Sequence, residues 1–110
     1  MMKLGLSTAA ASLLRALLAR AGFDRDRILL SAYRSVDWQS LMFVGERHEI
    51  ELRIPGAGAE SIATRLTDGL ADAEFSIPAQ IVADIGLRRP PLSNEDGSIT
   101  LFVEALTIAG

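Results

Sequence analysis

The same succession of patterns occurs twice in this chain, and that duplication constrains the fold more than any single motif. Between Ser7 and Ala21 apolar residues recur at helical spacing: Ala10, Leu13, Leu17 and Ala21, with Leu6 leading in and Leu14 and Leu18 widening the stripe. Phe23 follows, then a strand-like run over Ile28–Tyr33. Between Ala59 and Ala73 a second stripe (Ile62, Leu66, Gly69, Leu70, Ala73) leads to Phe75 and a strand-like run over Ile77–Leu87. A helix with one apolar stripe must bury it against another layer, so two helix–strands units predict helices laid on a shared sheet.

Local signals set the expected boundaries. A hydroxyl at Ser7 or Thr8 can cap the first helix, and Gly22 can end it in the left-handed conformation. Residues 27–36 read as a strand with Ile28, Leu30 and Ala32 on one face and Leu29, Ser31 and Tyr33 on the other. Val36–Gln39 reads as a turn or bulge. In residues 40–54, Ile50, Leu52 and Ile54 alternate with Glu49, Glu51 and Arg53, but the parity is disturbed near Gly45. Either one long strand is bulged there, or Gly45–His48 is a hairpin turn; the bulged strand is the preferred reading. Gly69 is expected inside the second helix, allowing close approach to another surface. Arg88–Gly97 reads as a proline-rich loop with a turn at Asp96-Gly97, and residues 99–108 as the last strand. The predicted fold is α+β: a two-layer sandwich with an antiparallel sheet of four or five strands and both helices on one face. The order α-β-β-α-β-β is that of a circularly permuted ferredoxin-like plait, an analogy of fold that carries no function.

Bulk properties narrow the functional classes. The 110 residues fit one domain spanning 1–110. Hydrophobic residues make up 49% and charged residues 23%, which excludes a disordered chain. The net charge is −3 and no basic stripe is present, so nucleic acid is not an expected partner. The absence of cysteine rules out disulfides, thiolate metal sites and a thiol nucleophile, and a cytoplasmic location is the expectation. The N-terminus resembles a leader in having Lys3 and an apolar stretch, yet Arg15 and Arg20 interrupt it, so a folded amphipathic helix is the better reading. No stretch is long and apolar enough to span a bilayer, and no membrane partner is expected.

Both faces of the sheet read as apolar. Leu101, Val103 and Ala105 oppose Phe102 and Leu106, Leu29 and Tyr33 oppose Ile28 and Leu30, and Val82 opposes Ile81 and Ile85. A second apolar face calls for a cover, and a homo-oligomer packed sheet to sheet is the simplest one. Leu29, Tyr33, Val82, Leu101 and Val103 are therefore the candidate interface residues.

The chemical candidates are sparse. His48 is the one histidine, flanked by Glu46, Arg47 and Glu49; it could act as a general base, and Arg47 could hold an anion. A strand or turn histidine hydrogen-bonded to a neighbour is the preferred reading. Asp84 and Glu104 sit mid-strand among apolar residues and could form an acid/base pair, or be neutralised by arginines on adjacent strands. Trp38 could anchor a ligand or plug one end of the core. Gly56-Ala57-Gly58 resembles the start of a dinucleotide fingerprint, but Glu60 places negative charge where phosphate would sit, so a plain linker is preferred. No cofactor is expected, and no metal site, since no ligand spacing is recognisable. The functional expectation is a non-catalytic, self-associating module that binds a partner or a small ligand. The alternative is an enzyme of unassigned chemistry centred on His48 with nearby carboxylates.

Overall fold

The computed structural model describes residues 5–110; Lys3, which entered the reading of the N-terminus, lies outside them. The duplicated layout is present. Helix α1 (Thr8–Ala19), a 3-10 turn (Gly22–Arg27) and strands β1 (Leu29–Gln39) and β2 (Val44–Ile54) make the first unit. Helix α2 (Ala59–Thr67), a 3-10 turn (Leu70–Asp72) and strands β3 (Gln80–Ser93) and β4 (Ile99–Ala109) make the second. The four strands form one antiparallel sheet in the order β1-β2-β4-β3. Each unit thus supplies one hairpin, and the two hairpins join through their second strands. This is the α+β sandwich the sequence predicts, in the strand order of the permuted plait.

The helices form where the stripes lie. Ser7 caps α1 by accepting the Ala10 amide at 3.1 Å, and Leu13, Leu17 and Ala21 are fully buried. Ile62, Leu66 and Leu70 do the same for the second unit. Beneath them lie Ile50, Leu52 and Ile54 of β2 and Leu101, Val103 and Ala105 of β4, all in the core. Burying each such side chain contributes about 1.5–3 kcal/mol, which is the main force holding the layers together.

The C-terminal end of each helix is capped by an arginine of the other helical segment. Arg20 donates to the carbonyls of Leu66 (3.1 Å) and Asp68 at the end of α2. Arg65 of α2 donates to the Ala21 carbonyl (3.0 Å) just after α1, and pairs with Asp24. Arg27 donates to the carbonyls of Pro55 and Ala57, bracing the linker between the units.

Several expected boundaries are corrected. The first hairpin turn falls at residues 40–43, where Ser40 donates its amide to the Phe43 carbonyl at 2.9 Å. Val36–Gln39 is therefore strand, and Gly45–His48 is neither turn nor bulge. Gly45 pairs with both Trp38 and Ile108. It stands where a Cβ would lie 1.9 Å from the Thr107 carbonyl oxygen, so close backbone approach accounts for the glycine. Gly69 does not lie within α2. Its φ of 63° makes it a left-handed stop, after which a separate 3-10 turn begins. β3 continues through Pro90 and Pro91 to Ser93, because it is an edge strand whose irregular ladder tolerates residues without an amide hydrogen. The two loop phenylalanines are not equivalent: Phe23 is fully exposed, whereas Phe75 packs on the core.

Face assignments also change. The register of β1 slips between Leu30 and Ala32, so Tyr33 stands opposite Ile50 on the helix side rather than beside Leu29 on the back. On β4, Leu101 and Val103 are 0% and 1% exposed beneath the helices, and Val82 packs against the same core. These three cannot form a back-face interface. The back of β4 instead carries Thr100, Phe102, Glu104, Leu106 and Ile108, since side chains alternate between faces.

Candidate functional site

His48 lies on the helix side of β2, opposite Ser35 of β1 and Ala105 of β4. Strand alternation brings a hydroxyl to each ring nitrogen. Nδ1 is 2.9 Å from Ser35 Oγ and Nε2 is 2.8 Å from Thr107 Oγ1. The ring is 1% exposed. Burial disfavours the imidazolium and lowers the pKa below the ordinary 6.5; the nearby charge of Glu46 pulls the other way and is the weaker influence. A neutral imidazole offers one donor and one acceptor, and both are engaged. The Ser35–His48 distance is that of a nucleophile and its base, yet the group on the far nitrogen is a hydroxyl rather than an orienting carboxylate. The arrangement locks a histidine in place.

The back of the sheet is charged. Glu49 lies 3.8 Å from Arg34 and 3.4 Å from Arg88. The Phe102 ring is covered by the guanidinium of Arg89 at 3.8 Å and that of Arg88 at 5.7 Å. Glu49 and Glu104 stand directly opposite each other across β2 and β4, a repulsion that the flanking arginines offset. The second face is thus less greasy than expected: the arginines shelter the Phe102 ring and ion pairs occupy the centre, while Leu29, Val36 and Ile81 stay exposed toward the two edges. A cleft of about 250 Å3 here is lined by Arg34, Arg47, Glu49, Asp84, Glu104 and the strand at His48. It brings together four of the residues singled out from the sequence: Arg47, His48, Asp84 and Glu104. Glu46 and Trp38 line a different cleft, of about 350 Å3, at the end of the sheet with Asp37 and Gln80. Among the described residues no group of three or more histidine or acidic side chains is placed to hold a metal.

A further cleft, of about 540 Å3, borders Gly56, Gly58, Glu60, Thr64 and Ser93. The glycines have φ of 81° and 80°, which the turn into α2 requires. Glu60 occupies the first turn of that helix and no side chain caps it. These features fit a linker better than a phosphate cradle, because the acid would repel the anion.

The surface most unlike that of an isolated domain is one the sequence reading missed. Leu41, Met42, Phe43 and Val44, at the tip of the β1–β2 hairpin, are 104%, 83%, 52% and 57% exposed. Among the described residues, eight of the eleven exposed large hydrophobics lie on β1 or this tip: these four with Leu29, Leu30, Tyr33 and Val36. Leu29 and Tyr33 were candidate interface residues. The signal for the tip was four consecutive apolar residues between Ser40 and Gly45. Reading residues 40–54 as one strand placed them inside the sheet and hid it.

Among the described residues no helix is long and apolar enough to cross a membrane. No protein-family model matches the chain, and no curated protein matches it in sequence. A solved structure titled "Virion of native gene transfer agent (GTA) particle" contains a chain with the same fold. The TM-score is 0.66, with 96% of this chain and 100% of that chain covered, at 16% identity.

Proposed function

We propose that this protein is a non-catalytic structural subunit that assembles with copies of itself and with other proteins, in a particle of the virion type. The observation that carries the reading is the apolar hairpin tip. A monomer gains nothing from presenting four large apolar side chains to water, whereas an assembling subunit buries them. The likeness in fold to a virion chain, end to end, supports the same reading. The catalytic alternative draws little support: both ring nitrogens of His48 are occupied by hydroxyls, and Asp84 and Glu104 are exposed to water. Sedimentation velocity at micromolar concentration is the test. The wild-type chain is expected to sediment as more than a monomer, and the double variant Leu41→Ser/Phe43→Ser to shift toward the monomer with its thermal melt unchanged. A clean monomer for the wild type removes the self-associating half of the reading.

A further inference from the structure

The two edges of the sheet differ in what they offer a neighbour. The β3 edge is blunted, with register shifts at three places and Pro90-Pro91 in its second half. Such irregularities are how natural edges avoid pairing. The β1 edge from Ala32 to Gln39 runs without a shift, a proline or a lysine. The Ser40 amide bonds back to Phe43, and alternate residues of an antiparallel strand point their amides to opposite sides. Counting back in twos, the even-numbered residues of this stretch face β2, while Ser35, Asp37 and Gln39 turn their amides and carbonyls to the open edge.

We propose that a second copy of this chain pairs antiparallel along β1, with the two-fold axis at Val36, to give one continuous eight-stranded sheet. Complementarity selects this register. An axis at Arg34 or Asp37 sets like charges against each other, whereas the axis at Val36 sets Arg34 opposite the partner's Trp38. Both side chains are on the back face, where a guanidinium and an indole attract. Ser35 and the partner's Asp37, both with outward backbone groups, exchange ladder hydrogen bonds. Continuing outward, the chain turns back at residues 40–43, so it is the start of the apolar tip, at Leu41 and Met42, that lies near residues 29–31 of the other protomer. The tip therefore meets Leu29 and Leu30, which are 53% and 37% exposed in the single chain. One symmetric contact covers the main concentration of exposed apolar surface on the molecule. The proposal deepens the assembly reading by naming the edge and the occupant.

The chain has no cysteine, so a single introduced one reports the geometry. Val36 would face its own copy across a non-hydrogen-bonded pair, with Cα atoms about 4.5 Å apart, within disulfide range. Val36→Cys is expected to form a disulfide-linked dimer under mild oxidation, while Ile81→Cys on the opposite edge stays unlinked. Val36→Lys places like charges at the axis and is expected to raise the dimer dissociation constant by about tenfold or more, with the circular-dichroism melt unchanged. Failure of Val36→Cys to link, or unaltered sedimentation of Val36→Lys, overturns the proposal. If the wild type still associates in that case, the assembly reading survives and only this edge and register fall. Monomeric sedimentation of all forms, as expected were the edge reserved for a strand of a different protein, also overturns it.

Discussion

Gly45 and His48 lie three residues apart on one strand and show how differently residues advertise their roles. The glycine was visible as a break in alternation, but the reason for it was not. Only the position of the neighbouring β4 backbone shows that a methyl group would strike the Thr107 carbonyl. Gly45→Ala is expected to cost about 1–3 kcal/mol or more, the range for forced overpacking. Gly86→Ala, where nothing lies within 4 Å of the added carbon, is expected to be near neutral; chemical denaturation of both variants checks this. His48 was visible as a titratable group, yet its hydroxyl partners come from residues 13 earlier and 59 later, distances no local pattern spans. Its folded-state pKa lies below the ordinary 6.5 through burial. As pH falls, the unfolded chain therefore takes up the proton first. The stability tied to this group is complete above about pH 6.5 and is lost as pH drops toward the folded value. The melting temperature of the wild type is expected to fall through that window and that of His48→Gln to fall less. An NMR titration of the ring should give a midpoint below that of free histidine.

At the scale of elements, strongly periodic segments were legible and punctuation was not. The helical stripes hold because 3.6-residue spacing survives any tertiary context that buries one face. Proline and glycine misled in opposite ways. Pro90 and Pro91 read as a loop, but they fall in the register break between Arg89 and Leu92 of an edge strand, where missing amides cost little. Gly69 read as a packing feature, but it supplies the positive φ that ends α2. The β3–β4 turn was anticipated at Asp96-Gly97, and the structure explains its strength. Asp96 Oδ1 accepts the Ser98 amide at 2.9 Å and the Ser98 hydroxyl at 2.6 Å, and Arg53 of β2 pairs with the other oxygen. These bonds, those from Ser98 first, hold the carboxyl pKa down at about 2. A depressed acid contributes stability above its ordinary pKa and loses it as pH falls to the folded value. Asp96→Asn is therefore expected to flatten the stability curve between roughly pH 4 and pH 2, as read by acid denaturation at fixed temperature.

For the whole molecule, the duplicated layout carried the architecture: one helix and one hairpin per unit, joined at the second strands. The back of the sheet was misjudged because a one-residue slip at the start of β1 reverses which side chains face the helices. On β4, apolar residues on both faces also hid that arginines of β3 roof the outer one. Leu101, assigned to the back from the sequence, is a test of the corrected picture. Leu101→Ala is expected to destabilise the chain by about 2–5 kcal/mol, as at a buried core site. A loss below about 1 kcal/mol in urea unfolding would return it to the surface, where substitutions cost little. The crossed arginines at the helix ends have a consequence for how the chain can be divided. Arg20 and Arg65 each satisfy carbonyls that belong to the opposite unit, so neither unit is self-sufficient despite their matching plan. Peptides severed within the Pro55–Gly58 linker are expected to be largely unstructured alone and to reconstitute a cooperative melt on mixing, while a lone half with its own sharp transition would contradict this. The two units share a plan, and each holds the helix end of the other.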